Sequence, residues 1–306
     1  MNFRRLKYFV KIVDVGSLTQ AADLLHIAQP ALSQQLVTLE AEMQQQLLIR
    51  TKRGVIATDA GKTLYAHAQL ILRQCEQAQS DVATASDALA GKVSVGLAPG
   101  TAASTLAVPL LQRVREAHPG IVLYLNENFG TTLSELIMNG RMDMAVLYGG
   151  RDVHGLSFVP LLRERLYLVS ADPRFAQQAE LSVAHLSELN LLLPRPYNVT
   201  RRLVDEACAK LGCTINVIAE IESATTLAAA VAQRFGATIL PESAARTLKS
   251  ENLHLTALVE PQIEAPLTLC LSDHLPLSLP AQAVKTLLLD LVAKYREAPL
   301  DQGLAA

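Results

Sequence analysis

Residues 27–36 read IAQPALSQQL, and this stretch decides how the start of the chain folds. Leu32, Leu36 and Leu39 recur at i, i+4 and i+7, which lines one face of an α-helix. Pro30 fits the first turn of that helix, where its missing N–H breaks no bond. The other face carries Gln29, Ser33, Gln34 and Val37, all uncharged. Just upstream, residues 16–27 read GSLTQAADLLHI, with Ser17 three residues ahead of Gln20. That capping box starts a helix at Leu18, which must stop near His26 for the next helix to open at Pro30. Leu6, Phe9, Val10 and Val13 predict a further amphipathic helix before it. Three short helices, the last two joined by a tight turn, have the spacing of a helix-turn-helix, whose second helix enters the DNA major groove. There an amide can pair bidentately with adenine, a hydroxyl can reach a phosphate, and a proline ring can pack on a thymine methyl. A plain helical hairpin with a polar solvent face has the same spacing.

The next stretch favours the first reading. Two short β-prone pieces flank Lys52-Arg53-Gly54 in RTKRGVIAT, residues 50–58, and predict a hairpin tip carrying Arg50, Lys52 and Arg53. Such a wing suits a minor groove or its flanking phosphates. Residues 1–58 hold seven Lys and Arg against four Asp and Glu, a local excess of three, whereas the whole chain carries −2. The basic excess is therefore local, and a solvated charged turn is its other explanation.

FRRLKYFVKIVDVGSLTQAADLLHIAQPALSQQLVTLE (residues 3–40) and LLIRTKRGVIATDAGKTLY (residues 47–65) resemble the winged helix-turn-helix of the LysR-type transcriptional regulators. The resemblance implies promoter DNA as a partner, with contacts at Gln29, Pro30, Ser33 and Arg53; Gln34 joins them from helix geometry. It also implies a homodimer or homotetramer, contact with RNA polymerase, no cofactor, and a C-terminal two-lobed effector domain like that of solute-binding proteins. IRTKRGV, LAPGTAAS, MDMAVLYG and AEIESATTL are most similar to the branch of the family that governs nitrogen assimilation, activating some genes and repressing others. A LysR-type regulator of another catabolic pathway, answering to a small effector, is the alternative within the family. The chain departs from the family pattern at Ala28, Gln34, Leu48 and Ala57. The first two bear on base preference.

Composition agrees with a multidomain cytoplasmic protein: 306 residues, half of them hydrophobic, with no unbroken apolar run of about 18 to span a membrane. The opening MNFRRLKYF lacks the apolar core of a signal peptide. Cys75, Cys208, Cys213 and Cys270 form no C-x-x-C pair, so neither a zinc site nor a disulfide framework is indicated, and reduced, packed thiols are expected.

Leu64, Ala68, Ile71, Cys75, Ala78, Val82, Ala85 and Leu89 alternate steps of four and three, a heptad seam. A helix over residues 58–89 would run about 45 Å, too long for one small domain. Pairing with a second copy through Leu64, Ala68, Ile71, Cys75, Ala78 and Val82 is expected; the alternative is a helix lying along its own regulatory domain.

Gly91 ends that pattern, and from Lys92 apolar strands alternate with helical stretches: KVSVGLA, IVLYLNE, MDMAVLY, RLYLVS, NLLLP, INVIAEI and ATILP. Alternation argues for parallel α/β units. The expected map is a winged domain at 1–58, a linker at 59–91 and a regulatory domain at 92–306. Its first lobe would span 92–161 and 268–297, its second 162–267, with the crossing between Pro160 and Arg165. Signatures of nucleotide, serine-hydrolase and zinc-protease chemistry are missing, and neither His118 nor His154 has a neighbouring acid or thiol arranged for catalysis. No enzyme and no metal site are expected. A solute-binding or catalytic α/β protein with a helical assembly arm is the rival from another class. Thr101, Ser104, Asn128, Thr131, Tyr148, Arg201, Ser223 and Thr225 end strands or begin helices and are the candidate effector contacts. Only Arg201 among them could pair with an anion, and Ala102, Ala103 and Ala224 suggest close packing, so an inert cleft is favoured over a liganded one.

Overall fold

Asn2 and Gly16 bracket the first helix, α1 (Phe3–Val15): the Asn2 carboxamide accepts from the Arg4 N–H, and Gly16 closes the helix at φ 69°. The computed structural model describes residues 2–51, 54–83, 89–99, 102–150, 153–248 and 252–297. They form two compact units, residues 1–87 with 138–141 and residues 88–137 with 142–306.

In the first unit Ser17 caps α2 (Leu18–Leu24) by accepting from the Gln20 N–H, as the capping box predicts. His26 turns the chain at φ 53°, and α3 (Gln29–Met43) follows with Pro30 in its first turn. Phe9, Ile12, Ala21, Leu32, Leu36 and Leu39 interlock in one core. The inward face of α1 is Leu6, Phe9 and Ile12; Val10 and Val13, expected there, are only half-buried.

The wing is β1 (Leu48–Thr51) paired antiparallel with β2 (Gly54–Ala57), Leu48 opposite Ala57. It hangs on the α1–α2 turn, where the Val55 N–H donates to the Gly16 carbonyl at 2.8 Å. Gly54 sits there at φ +129°, and a Cβ on it would lie 2.3 Å from that same carbonyl oxygen. Only glycine serves. Glu40 fixes the wing to α3, its Oε1 accepting from the Leu47 and Leu48 N–H groups at 2.8 and 3.1 Å.

Thr58 then starts α4 (Asp59–Ala83): its Oγ1 accepts from the Gly61 N–H at 2.9 Å and stands 2.8 Å from the Gln46 carbonyl oxygen, to which it donates. The described part of the helix is 25 residues long. Ala85 lies outside the described residues, and Leu89 packs on the core of the second unit instead of continuing the seam.

The second unit opens with β3 (Ala90–Leu97), α5 (Ala102–Ala117), β4 (Gly120–Glu127), α6 (Gly130–Met138) and β5 (Met144–Tyr148), with β3 parallel to both β4 and β5. Gly91 lies inside β3, opposite Ile121, so the strand begins before the expected Lys92. After β5 comes β6 (Leu156–Ser170), then β7 (Glu180–Ser182), β8 (Asn190–Leu193), α7 (Val199–Leu211), β9 (Asn216–Glu220), α8 (Ala224–Ala232), β10 (Thr238–Pro241), α9 (Glu242–Thr247), β11 (His254–Val259), β12 (Glu264–Ser272) and α10 (Leu279–Glu297).

The main sheet runs β4-β3-β5-β12-β6-β11-β7, with β10 also on β6; β8 and β9 pair separately and in parallel. The expectation of parallel units holds only in part, because β12 is antiparallel to β5 and β6, and β10 and β11 are antiparallel to β6. RLYLVS is the tail of a strand of 15 residues. Pro160 does not break that strand, since it stands at a bulge where Leu162 faces Leu267 and Pro160 faces Thr268.

Two cores lie along β6 and β12. One gathers Val93, Val95, Leu110, Met144, Leu269 and Leu288, the other Leu166, Leu168, Val183, Leu191, Val204 and Ile239. Among the described residues no helix is long and apolar enough to cross a membrane.

Candidate nucleic-acid interface and cleft

The first turns of α3 expose what its leucines do not need. Pro30 and Gln34 are exposed, Gln29 and Ser33 half-buried, and the i, i+4 spacing puts Gln29 beside Ser33 and Pro30 beside Gln34. Ala28 precedes the helix and provides no side-chain cap, which leaves the positive end of the helix dipole without an internal acceptor. Arg5 straps α1 to α3, its Nε donating to Gln35 Oε1 at 3.0 Å while its guanidinium meets Glu42. Arg53 and Lys52 lie outside the described residues. Arg50, expected at the hairpin tip, stands within β1 opposite Val55, and its Nη2 donates to Ser33 Oγ at 2.8 Å, a contact with α3 that sequence reasoning did not foresee. Strand periodicity was the available signal: Arg50 is two residues from buried Leu48 and shares its face, which looks at α3.

The seam of α4 divides. Leu64 is half-buried against the core of the winged domain, whereas Ala68 has no exposed surface and is closed to a second copy. Ile71 and Cys75 are half-buried, while Ala78 is exposed and Val82 is 78% exposed. Tyr65, packed against the same core, donates its hydroxyl proton to Asp14 of α1. Burial, with Asp14 beside it, pushes the phenol up to about 12.

The expected effector contacts do not converge. Thr101 lies outside the described residues, and so does the side chain of Ser104. Arg201 is engaged within the chain: its Nε donates to both Asp205 oxygens at 2.9 Å, its Nη1 to the Pro194 carbonyl at 3.2 Å, and its side chain is 12% exposed. Ser223 caps α8 and shares a hydrogen bond with Thr225 at 3.0 Å. Asn128 accepts from the Phe129 N–H, and Thr131 is exposed. A cavity of about 1220 Å³ does open where β6 and β12 cross between the two cores, lined by Gly149, Phe158, Arg163, Arg165, Arg202 and Tyr295 among others. None of the described candidates lines it. Arg163 is paired with Glu264 at 3.1 Å and Arg202 with Glu206 at 3.7 Å.

Beside the cavity Tyr148 turns to Glu164, which is 5% exposed; the carboxylate accepts from the Tyr148 hydroxyl and, at 3.1 Å, from the Ser243 N–H at the start of α9. Burial raises the Glu164 carboxyl against the lowering effect of these bonds, and Glu242 nearby raises it further. Set between two arginines, Glu164 carries no periodic signal that marks it as buried. Cys208 and Cys270 are buried and burial pushes both thiols up to about 12, far from a reactive thiolate. Among the described residues no group of three His, Cys, Asp or Glu could hold a metal ion.

Two family models match: "Bacterial regulatory helix-turn-helix protein, lysR family" over residues 3–62, and "LysR substrate binding domain" over residues 86–293. The chain is 54% identical to the nitrogen assimilation regulatory protein of Klebsiella aerogenes over 295 residues, 96% of each chain. It is 53% identical to the protein of that name in Escherichia coli strain K12, again over 96% of each. Among solved structures it is similar to a full-length OxyR variant from Pseudomonas aeruginosa, at a TM-score of 0.75 and 24% identity, covering 95% of this chain and 94% of that one.

Proposed function

The chain belongs to the LysR family of bacterial DNA-binding transcriptional regulators, and we propose that it controls genes of nitrogen assimilation, activating some promoters and repressing others. The observation that carries this reading is identity above half with nitrogen assimilation regulators along nearly the whole length of both chains. The relatives matched across both domains are regulators and not enzymes, which removes the catalytic rival. The protein works in the cytoplasm, on double-stranded promoter DNA and beside RNA polymerase.

Gln29, Pro30, Ser33 and Gln34 face the major groove, with Arg53 of the wing near the minor groove or a phosphate. An uncharged amide and hydroxyl face at the start of α3 supports this, since any acid there would repel the backbone. Two copies pair through the free part of the α4 seam, from Ile71 to Val82, which sets two α3 helices on half-sites about one DNA turn apart; tetramers form from such pairs. The test is binding to promoter duplexes selected from a random library by the parent protein. Gln29→Ala should lose about 1–3 kcal/mol and change sequence preference, and Arg53→Ala should weaken binding to all sequences. Parent-like binding by both folded variants would refute the assignment.

The cleft between the lobes is inert, and regulation follows the amount of protein made. Arg201, the one cation among the expected contacts, is neutralised by Asp205, and Tyr148 is turned to Glu164. Neither is available to an anionic effector.

A further inference from the structure

We propose that Arg50 and Ser33 form one phosphate clamp, a two-residue site that grips a single DNA phosphodiester between the wing and α3. It rests on the reading that α3 enters the major groove. An arginine can only donate, so in the 2.8 Å bond from Arg50 Nη2 the Ser33 hydroxyl is the acceptor. Its own proton is then left to donate, and among the described residues it has no intrachain acceptor. The usual outlet for a helical serine, the carbonyl four residues back, is the one Thr38 uses with Gln34 on the same helix; Ser33 makes no such bond.

Two donors held side by side, one charged, match an anion with several acceptor oxygens. Arg50 is exposed and, among the described residues, has no ion-pair partner. The acids of α3 are occupied elsewhere: Glu40 holds the Leu47 and Leu48 N–H groups, and Glu42 pairs with Arg5. The location also favours a phosphate over a base. Arg50 stands on a wing strand beside α3, with Glu40 fixing the start of the same strand, so the guanidinium lies at the edge of whatever groove α3 fills. Phosphates run along that edge. Ser33 is thereby aimed by Arg50, and Arg50 acts both as a contact and as a positioning residue.

The experiment is a double-mutant cycle on the full-length protein with Ser33→Ala, Arg50→Ala and the pair, using a duplex selected from a random library by the parent. Binding is measured across a salt series. Arg50→Ala is expected to weaken binding about ten- to hundredfold, the range for a charge-assisted hydrogen bond. It should also reduce the salt slope by about 0.9. Once Arg50 is gone, Ser33→Ala should cost little more, so the double variant should match Arg50→Ala within about threefold. Arg50→Lys should keep the salt slope yet lose the coupling to Ser33, because a lysine lacks the fork that holds the hydroxyl while a second N–H reaches out. In a scan of single methylphosphonates along the duplex, one neutralised position should weaken the parent and leave Ser33→Ala and Arg50→Ala unaffected. Multiplicative losses, an unchanged salt slope in Arg50→Ala, or a changed sequence preference in a repeat selection with that variant would overturn the clamp. The last outcome would make Arg50 a base reader. Gln29→Ala run in parallel separates the two levels, since parent-like binding by that variant would remove the α3 reading itself.

Discussion

Replacing Gly61 with alanine sets two opposed effects against each other on α4. Alanine is the better helix former by about 0.8–1.0 kcal/mol, and Gly61 has no left-handed φ to lose, so propensity alone predicts stabilisation. The surroundings predict the reverse. A Cβ on Gly61 would stand 2.0 Å from the Leu47 carbonyl oxygen, 3.0 Å from its carbon and 3.3 Å from the Ala57 Cβ. Carbon and carbonyl oxygen normally approach to about 3.3 Å, so the helix start and the wing strand must part by more than 1 Å (about the width of the gap they would need). That Leu47 oxygen accepts from the Thr58 N–H at 2.9 Å and lies 3.1 Å from the Thr58 hydroxyl, whose one proton it shares with the nearer Gln46 carbonyl. The same hydroxyl caps the Gly61 N–H. Overpacking costs about 1–3 kcal/mol, and loosening the Thr58 cap costs about 1 more. After the propensity gain, Gly61→Ala should destabilise the winged domain by about 1–3 kcal/mol. Hydrogen exchange of peptides from residues 45–65 of the full chain reads this domain on its own, and exchange should rise from about fivefold to above a hundredfold. Exchange as slow as in the parent, with promoter binding intact, would mean that the close approach yields easily and the reasoning is wrong.

Three further outcomes are expected. Ile71→Asp sets a charge in the free half of the α4 seam, and sedimentation should show the dimer dissociating while DNA affinity falls with it; an intact dimer would move the interface elsewhere. Glu164 has its folded pKa above the unfolded value, so its contribution is greatest below the ordinary carboxylate range and is lost as pH rises through the folded value. The stability of Glu164→Gln relative to the parent should therefore increase from about pH 4 to pH 7, measured by urea titration; a gap constant with pH would contradict this. A thermal-shift screen of nitrogen metabolites and aromatic acids should find no saturable ligand, whereas a true effector at 100 times its dissociation constant would add about 2.7 kcal/mol. A hit lost in Thr101→Val would restore a working cleft.

What was legible in the sequence was whatever obeys a period or a cap. Ser17 and Gln20 fixed the start of α2, Leu32, Leu36 and Leu39 the buried face of α3, and the β-prone pieces of RTKRGVIAT the two strands of the wing. The heptad marked α4 but could not say which chain covers it, because the same apolar step serves an intrachain core, as at Ala68, and an intermolecular one. Antiparallel β12 escaped the alternation argument since pairing direction leaves no mark on a strand buried on both faces. In the cleft, strand ends and helix starts were located well enough, yet side-chain commitment was invisible. Arg201 reads as a free cation until Asp205 is placed four residues along the same helical face. Arg50 and Ser33, 17 residues apart in sequence, meet only through tertiary packing.

The bulge shared by β6 and β12 has a consequence for the engineering of the regulatory half. The chain leaves the first core at Leu162 and re-enters it at Leu267, and these two residues face each other on one ladder. The ends of residues 163–266, the expected second lobe, thus stand only about 5 Å apart. A segment hung from adjacent strand ends can be excised behind a tight hairpin, or exchanged for another lobe, without rethreading the sheet that carries it. The second lobe is a cassette, and the first is its socket.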